Sequence, residues 1–229
     1  MFGLFRNTKK EQLSSGPFGV TIGEQAVGSK IIGAPASFPY PYGPHGELFD
    51  EKYRHSFHRI NPPEFHQLFH SFYGRYVNPF GNGRSTGLSR VIACSVEFDE
   101  RETNCVLEFF RFTERLEAKY GKCHVVDKRA DILNADSFAD KKIPDSIWLK
   151  IVDSEPRQAY LASWNLMSLN NRIDEVNLSL YVKSILGLKN IRYDQSYLAL
   201  EYIFSNDRDA DEIYQEALRY RGQKDDGVL

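Results

Sequence analysis

The sequence predicts an α+β protein: an antiparallel sheet of five or six strands, one long helix packed on it, and a C-terminal helix. Three observations lead there. Four strand-like runs (Ile147–Val152, Gln158–Leu166, Glu175–Ile185 and Tyr197–Phe204) follow one another without an intervening helical pattern, and strands grouped apart from helices point away from a doubly wound fold. In the third run Val176, Leu178, Leu180 and Val182 alternate with Asn177, Ser179, Tyr181 and Lys183, the period of an antiparallel strand with one covered and one wetter face. Finally, residues 104–120 place Val106, Phe109, Phe110, Thr113, Leu116 and Tyr120 on one helical face and Glu108, Arg111, Glu114, Arg115 and Glu117 on the other.

The remaining elements follow in chain order. Residues 1–17 read as a flexible lead ending at Ser14-Ser-Gly-Pro17, and Gly19–Gly23 as one short strand. Residues 33–49 are dense in Pro, Gly and aromatics, and repeated prolines remove donors and disfavour helix, so an irregular loop or extended segment is expected. Between Pro62 and Tyr76 the spacing of Phe65, Leu68, Phe69 and Phe72, with Pro63 suited to a first turn, predicts a helix. Ser89–Phe98 is β-branched and reads as a strand. The long helix is capped by Thr103 or Asn104 and stopped by a left-handed Gly121. A polar connection spans 123–144. From Asp207 a helix runs to about Tyr220 using Ile213, Ala217, Leu218 and Tyr220, and the tail 221–229 frays. Residues 18–220 are thus expected as a single domain, with Trp148, Trp164, Phe109, Leu116, Leu178, Leu180, Leu200 and Tyr202 in its core.

Composition narrows the class. A chain of 229 residues can bury roughly 70% of its surface, so no disulfide or metal is required to hold it. The net charge of −2 and sequence pI near 6.3 argue against a nucleic-acid partner, which calls for a basic surplus. No run approaches the length of a membrane span. Three cysteines without a CxxC suit reduced thiols and a cytoplasmic location.

Several constellations touch on chemistry. His55, His58, His66 and His70 cluster in one segment, and His66 and His70 would share a helical face as zinc ligands do. Gln67 stands where H-E-x-x-H has its general base, so the segment reads first as packing and second as the metal site of a small hydrolase. Gly81–Gly87 matches neither phosphate-loop spacing and precedes a strand, so it reads as a hairpin turn. Asp99, Glu100 and Glu102 suit a helix start. Cys94 lies mid-strand as an inert thiol, and Cys123 and His124, being neighbours, are poorly placed to face one another. Nothing in this set calls for a cofactor.

A longer pattern runs from Gly87-Leu-Ser-Arg-Val-Ile-Ala93 through Leu116-Glu-Ala-Lys-Tyr-Gly-Lys122, Ser146-Ile-Trp148, Arg157, Ala162-Ser-Trp164 and Val176-Asn-Leu-Ser-Leu180 to Tyr197-Leu-Ala-Leu-Glu-Tyr-Ile-Phe-Ser-Asn206. Over about half the chain it resembles uncharacterised bacterial α+β proteins of the toxin-immunity type. The resemblance implies a cytoplasmic, non-enzymatic protein that binds and neutralises a secreted antibacterial toxin. It carries no catalytic residue with it.

For the surface that meets such a partner, the prolines of residues 38–49 limit the freedom of the unbound loop, and Tyr40, Tyr42 and Phe49, with His45 between, are anchor-type side chains. Burial of these rings against the sheet edge is the competing expectation. Asp207, Asp209 and Asp211 form an acidic stretch that would steer a basic partner, although acids at a helix start are favoured electrostatically in any case.

Overall fold

Why a chain with so few long strand signals builds a wide sheet becomes apparent from its short edge strands. A computed structural model describes residues 16–35, 57–81, 83–95, 103–128, 157–169, 172–182, 185–187, 190–192 and 196–225. The strands are β1 (Ile32–Pro35), β2 (Phe57–Ile60), β3 (Phe69–Tyr76), β4 (Leu88–Ser95), β5 (His124–Asp127), β6 (Arg157–Asn165), β7 (Ile173–Val182), β8 (Ile185–Gly187), β9 (Asn190–Arg192) and β10 (Tyr197–Phe204). Eight of them form one antiparallel sheet in the order β1-β2-β3-β4-β10-β7-β6-β5, and β8 and β9 pair separately. Helix α1 is Thr103–Tyr120 and helix α2 is Ala210–Asp225. The α+β class and antiparallel sheet are as expected; the sheet is wider than the five or six strands anticipated.

The additional strands have identifiable causes. β1, β2 and β5 contain four residues each, too few for a period of two to stand out. Pro35 is tolerated because β1 lies at the sheet edge. β3 replaces the helix expected over 62–76. Its register places Phe69 opposite Ser95 but Ser71 opposite Cys94, so His70 is an extra, bulged residue. In a regular strand Phe69 and Phe72 would point to opposite faces. The bulge returns both to the core, where they are 2% and 4% exposed, and their three-residue spacing imitates a helix. Gly19–Gly23 is likewise not a strand: a 3-10 turn at Pro17–Gly19 precedes a chain that lays Val20, Ile22 and Ala26 into the core. Ile147–Val152, with Trp148, lies outside the described residues.

The core lies between α1 and one face of the sheet. Helix α1 rests mainly on β7 and β10. Phe112 meets Phe69 edge-on at 5.4 Å, Phe109 meets Tyr160 at 5.4 Å, and Trp164 Nε1 donates to Gly121 O at 2.8 Å. Cys105, Phe109, Phe112, Thr113 and Leu116 make the buried stripe; Phe110, expected there, is 40% exposed. Opposite them lie Leu178, Leu180, Leu198 and Leu200, as β7 and β10 align Leu180 with Leu198 and Leu178 with Leu200. All the described members of the expected core are buried. Gly121 ends α1 at φ +88°, the left-handed stop its position implies.

The second face of the sheet is also buried, which corrects the expectation of a wetter side. Phe57, Tyr73, Ile92, Cys94, Tyr181, Tyr197 and Ala199 cluster there, with the Tyr181 and Tyr197 rings stacked at 5.1 Å. Its polar residues are supplied with partners: Gln158 donates to Ser179 at 2.8 Å and receives Lys128 at 2.6 Å.

After β10, a 3-10 turn (Ser205–Asp209) leads into α2, which buries Ala210, Ile213 and Ala217 and packs on Val77. Leu218 and Tyr220, expected on that stripe, are exposed, and the helix continues to Asp225 across the anticipated fraying point. Gly87 permits the close approach of the N-terminal segment: its φ is +63° and an added Cβ would lie 2.3 Å from Gly23 O.

Truncating Phe109 to Ala, at a site with no exposure, is expected to cost about 3–5 kcal/mol. Leu107→Ala on the outer face of the same helix should stay within about 0.5 kcal/mol. Urea unfolding of both variants checks the placement, and equal losses would contradict it.

Candidate functional site

Three strands that otherwise read as apolar each carry one strongly charged residue. β3 has Arg75, β4 has Arg90 and β10 has Glu201. The sheet order sets β3, β4 and β10 side by side, and pairing aligns Arg75 with Arg90, Arg90 with Ile203, and Glu201 with both Ile92 and Asn177. All three charges therefore share the face away from α1.

Their meeting point is Asp207, in the 3-10 turn that follows β10. Arg75 Nη1 donates to both Asp207 oxygens at 3.0 Å, Ser89 Oγ donates to Oδ1 at 2.7 Å, and Arg90 Nε donates to Oδ2 at 2.7 Å. Arg90 Nη1 also donates to Glu201 Oε1 at 3.2 Å, and Asn177 Nδ2 to Glu201 Oε2 at 3.4 Å. A β-bulge makes this convergence possible. Arg75 opposes Arg90 while Tyr76 opposes Leu88, leaving Ser89 as the extra residue of β4. Two consecutive side chains, Ser89 and Arg90, then reach one carboxylate, which a regular strand forbids.

The cluster is balanced and mostly buried: two guanidiniums face two carboxylates, Arg75, Glu201 and Asp207 are 4%, 2% and 8% exposed, and the Arg90 side chain is 24% exposed. Burial lowers Arg75 to about 10, against the opposing pull of Asp207, so it remains a cation at neutral pH. For Arg90 burial acts the same way, but Glu201 and Asp207 together outweigh it and the net shift is upward. Burial raises the Glu201 carboxyl, with Arg90 and Asn177 offsetting part of that shift. Chemically the arrangement fixes the sheet and the start of α2 to each other. It presents no free base or nucleophile to solvent.

The site residues read from sequence fall differently. Asp207, expected on an acidic binding surface, is the buried hub described above; that reading is corrected. Asp209 and Asp211 are exposed, and Asp209, with Glu212, pairs with Arg84 at 3.4 and 3.0 Å. Tyr40, Tyr42, His45, Phe49 and His55 lie outside the described residues. His58, on β2, is 2% exposed, with its ring against Tyr76 and Phe80. His66 sits in the turn before β3, its Nδ1 accepting from Leu68 N at 3.1 Å and its ring against Phe69 and Phe112. His70 is the exposed bulge residue. Tyr76 and Phe69 are opposite ends of β3, about 23 Å apart at the rise of a strand. His58 and His66 are consequently held well beyond the reach of one zinc ion, whose nitrogen ligands lie about 2.0–2.1 Å away. Among the described residues no group of three or more His, Cys, Asp or Glu is placed to hold a metal.

The surroundings of Cys94 and Cys123 favour the protonated thiol. Burial pushes Cys94 up to about 12. Cys123 is half-buried and held up to about 11 by burial and by Glu117, whose Oε1 its thiol approaches at 3.5 Å. Gly81–Gly87 lies in the β3–β4 hairpin connection, as expected. Sequence reasoning overlooked Arg75, Ser89, Arg90 and Glu201. The available signal was one lone charge in each of three apolar strands, with signs that balance once Asp207 is added.

Comparison of the chain with protein-family models, curated proteins and solved structures returns no match.

Two predictions follow from this geometry. Asp207→Asn is expected to cost about 3–5 kcal/mol by leaving Arg75 buried without its counter-charge, whereas Asp209→Asn on the surface should cost at most about 1 kcal/mol; chemical denaturation separates them. Burial lowers His58 from its ordinary value of 6.5. The folded state therefore favours the neutral ring, and its contribution is intact above 6.5 and lost as pH falls through the lowered value. Urea midpoints at pH 7.5 and pH 5 should drop further for the native chain than for His58→Gln. An identical drop in both would remove His58 from the pH response.

Proposed function

We propose that the chain is a binding protein that neutralises a protein partner, of the kind represented by cytoplasmic immunity proteins that block secreted antibacterial toxins. The observation that carries this reading is the disposition of charge and aromatic surface. The dense ionisable cluster on the described sheet is internally paired and mostly buried, only Arg90 reaching the surface with 24% of its side chain exposed, so it serves architecture. Large rings are instead turned outward: Phe65 is 74% and Phe80 65% exposed. Outward aromatics on a firmly packed scaffold supply contact area at low entropic cost. The exposed acids Asp209 and Asp211 add an electrostatic element suited to a basic partner. Among the described residues no helix is long and apolar enough to cross a membrane. The resemblance of residues 87–206 to immunity-type proteins supports the same class.

The test is coexpression with the product of the adjacent reading frame in the genome of origin. Restored growth together with a defined complex of the two purified proteins is the expected result. Absence of both overturns the reading. So does stoichiometric zinc in untagged protein, which would call for a metal-dependent activity on a ligand set other than His58 with His66. Within such a complex, Tyr40→Ala and Tyr42→Ala are expected to weaken affinity by about 2 kcal/mol or more each. Calorimetric titration with variants whose thermal melting is unchanged reads this directly, and unaltered affinity would exclude residues 38–49 from the interface.

A further inference from the structure

A second polar site lies at the end of the β6–β7 hairpin, apart from the Asp207 cluster. There Leu166 and Met167 leave β6, Arg172 precedes β7, and the 3-10 turn after β10 contributes Ser205 and Arg208; together they line an open cavity of about 210 Å³. Three features set this cavity apart from ordinary surface. Arg172 holds φ at +62°, a left-handed conformation that costs a non-glycine residue energy and that concentrates at ligand sites. The hairpin is braced in that shape, because Ser205 N donates to Arg172 O at 3.0 Å and Leu166 N to Asp174 O at 2.7 Å. The third feature is an imbalance of charge. Asp174, the bulged residue of β7 and 4% exposed, is engaged by Arg208 through two hydrogen bonds of 2.5 and 2.6 Å. Among the described residues no carboxylate pairs with Arg172, which is half-buried at the same cavity.

We propose that this cavity is a carboxylate-binding site, taking a monoanionic carboxyl group attached to a short aliphatic skeleton. Two arginines against one aspartate leave a single uncompensated positive charge, which one carboxylate neutralises and a phosphate dianion would exceed. The planar guanidinium of Arg172 matches the two oxygens of a carboxylate in one plane. Ser205 supplies a hydroxyl donor, and Met167, 57% exposed at the rim of this mainly polar cavity, gives a short carbon chain one apolar neighbour. The same chemistry is presented by a free aliphatic acid and by the C-terminal carboxyl of a polypeptide.

Nuclear magnetic resonance titration of the full chain with butyrate, with N-acetylleucine and with inorganic phosphate distinguishes these cases. Saturable shifts at Arg172, Ser205 and Met167 with either carboxylate are expected; the tighter of butyrate and N-acetylleucine tells a free acid from a peptide terminus. Arg172→Asn tolerates the left-handed backbone and should weaken binding at least about tenfold, while Arg172→Lys retains part of it. Ser205→Ala provides an independent, smaller loss should the asparagine variant not fold. Absence of saturation, saturation undiminished in both Arg172→Asn and Ser205→Ala, or tighter binding of phosphate than of either carboxylate would each overturn the assignment.

Discussion

The Asp207 carboxylate accepts hydrogen bonds from Arg75, Ser89 and Arg90, side chains of two strands that lie more than a hundred residues earlier in the chain. Moving an ion of this size from water into a protein interior costs several kcal/mol even after relaxation. Such a group persists only where several donors converge on it with good geometry. That condition constrains much else. β3 and β4 must be bulged at Ser89, β10 must end at Phe204, and the chain must turn at once so that Asp207 swings back beneath the two arginines. The start of α2 is set by the same turn, and Asn206 reinforces it by donating to Thr86 O at 2.6 Å and Leu88 O at 3.1 Å. Hydrophobic burial against α1 supplies the bulk of the stabilisation and forbids a slip of one residue, which would turn the apolar set out of the core. A slip of two would keep the faces but carry Arg75 or Arg90 away from Asp207, so the ionic cluster adds to the specification of register.

Irregularities in the ladder recur wherever a polar group is placed with purpose. The bulge at Ser89 aims two adjacent side chains at one acceptor, and Asp174, bulged in β7 on the other side of β10, receives Arg208. His70, bulged in β3, has a packing consequence instead, returning Phe69 to the face shared with Phe72. A bulge increases local twist and re-aims the strand. The sheet thereby acquires positions that a strict period of two does not allow.

This economy of charge bears on function. Polar side chains on the face away from α1 are consumed by one another: Gln158 with Ser179 and Lys128, Asn177 with Glu201, Arg90 with two acids. The cysteine nearest that cluster, Cys94, sits with its thiol buried in the sheet. Among the described residues that face outward are large rings, acids at the start of α2 and the residues of the hairpin cavity. A protein organised in this way is suited to recognising another molecule with its surface while its interior stays unchanged, which is the mode of action proposed above.

Some of this was legible in the residues alone. β10 has no bulge and alternates cleanly, so Tyr197–Phe204 was readable to the residue; β6, β7 and α1 were readable to within a few positions, because face periodicity is a local property written in consecutive side chains. β3 was not, since the bulge at His70 resets the phase of alternation and leaves a spacing that belongs equally to a helix. β1, β2 and β5 were not, because four residues hold too little pattern and acquire strand geometry from the hydrogen bonds of a neighbour. The second face of the sheet looked solvated because Asn177, Ser179 and Glu201 are polar, and composition cannot say whether a polar group is satisfied by water or by protein. Asp207 shows the same limit most clearly. In the sequence it is one acid among several at a helix start, equivalent to Asp209 and Asp211. Only the folding of β3 and β4 beside β10 brings Arg75, 132 positions away, to its carboxylate, and only that distant pairing decides that this acid is interior while its neighbours are not.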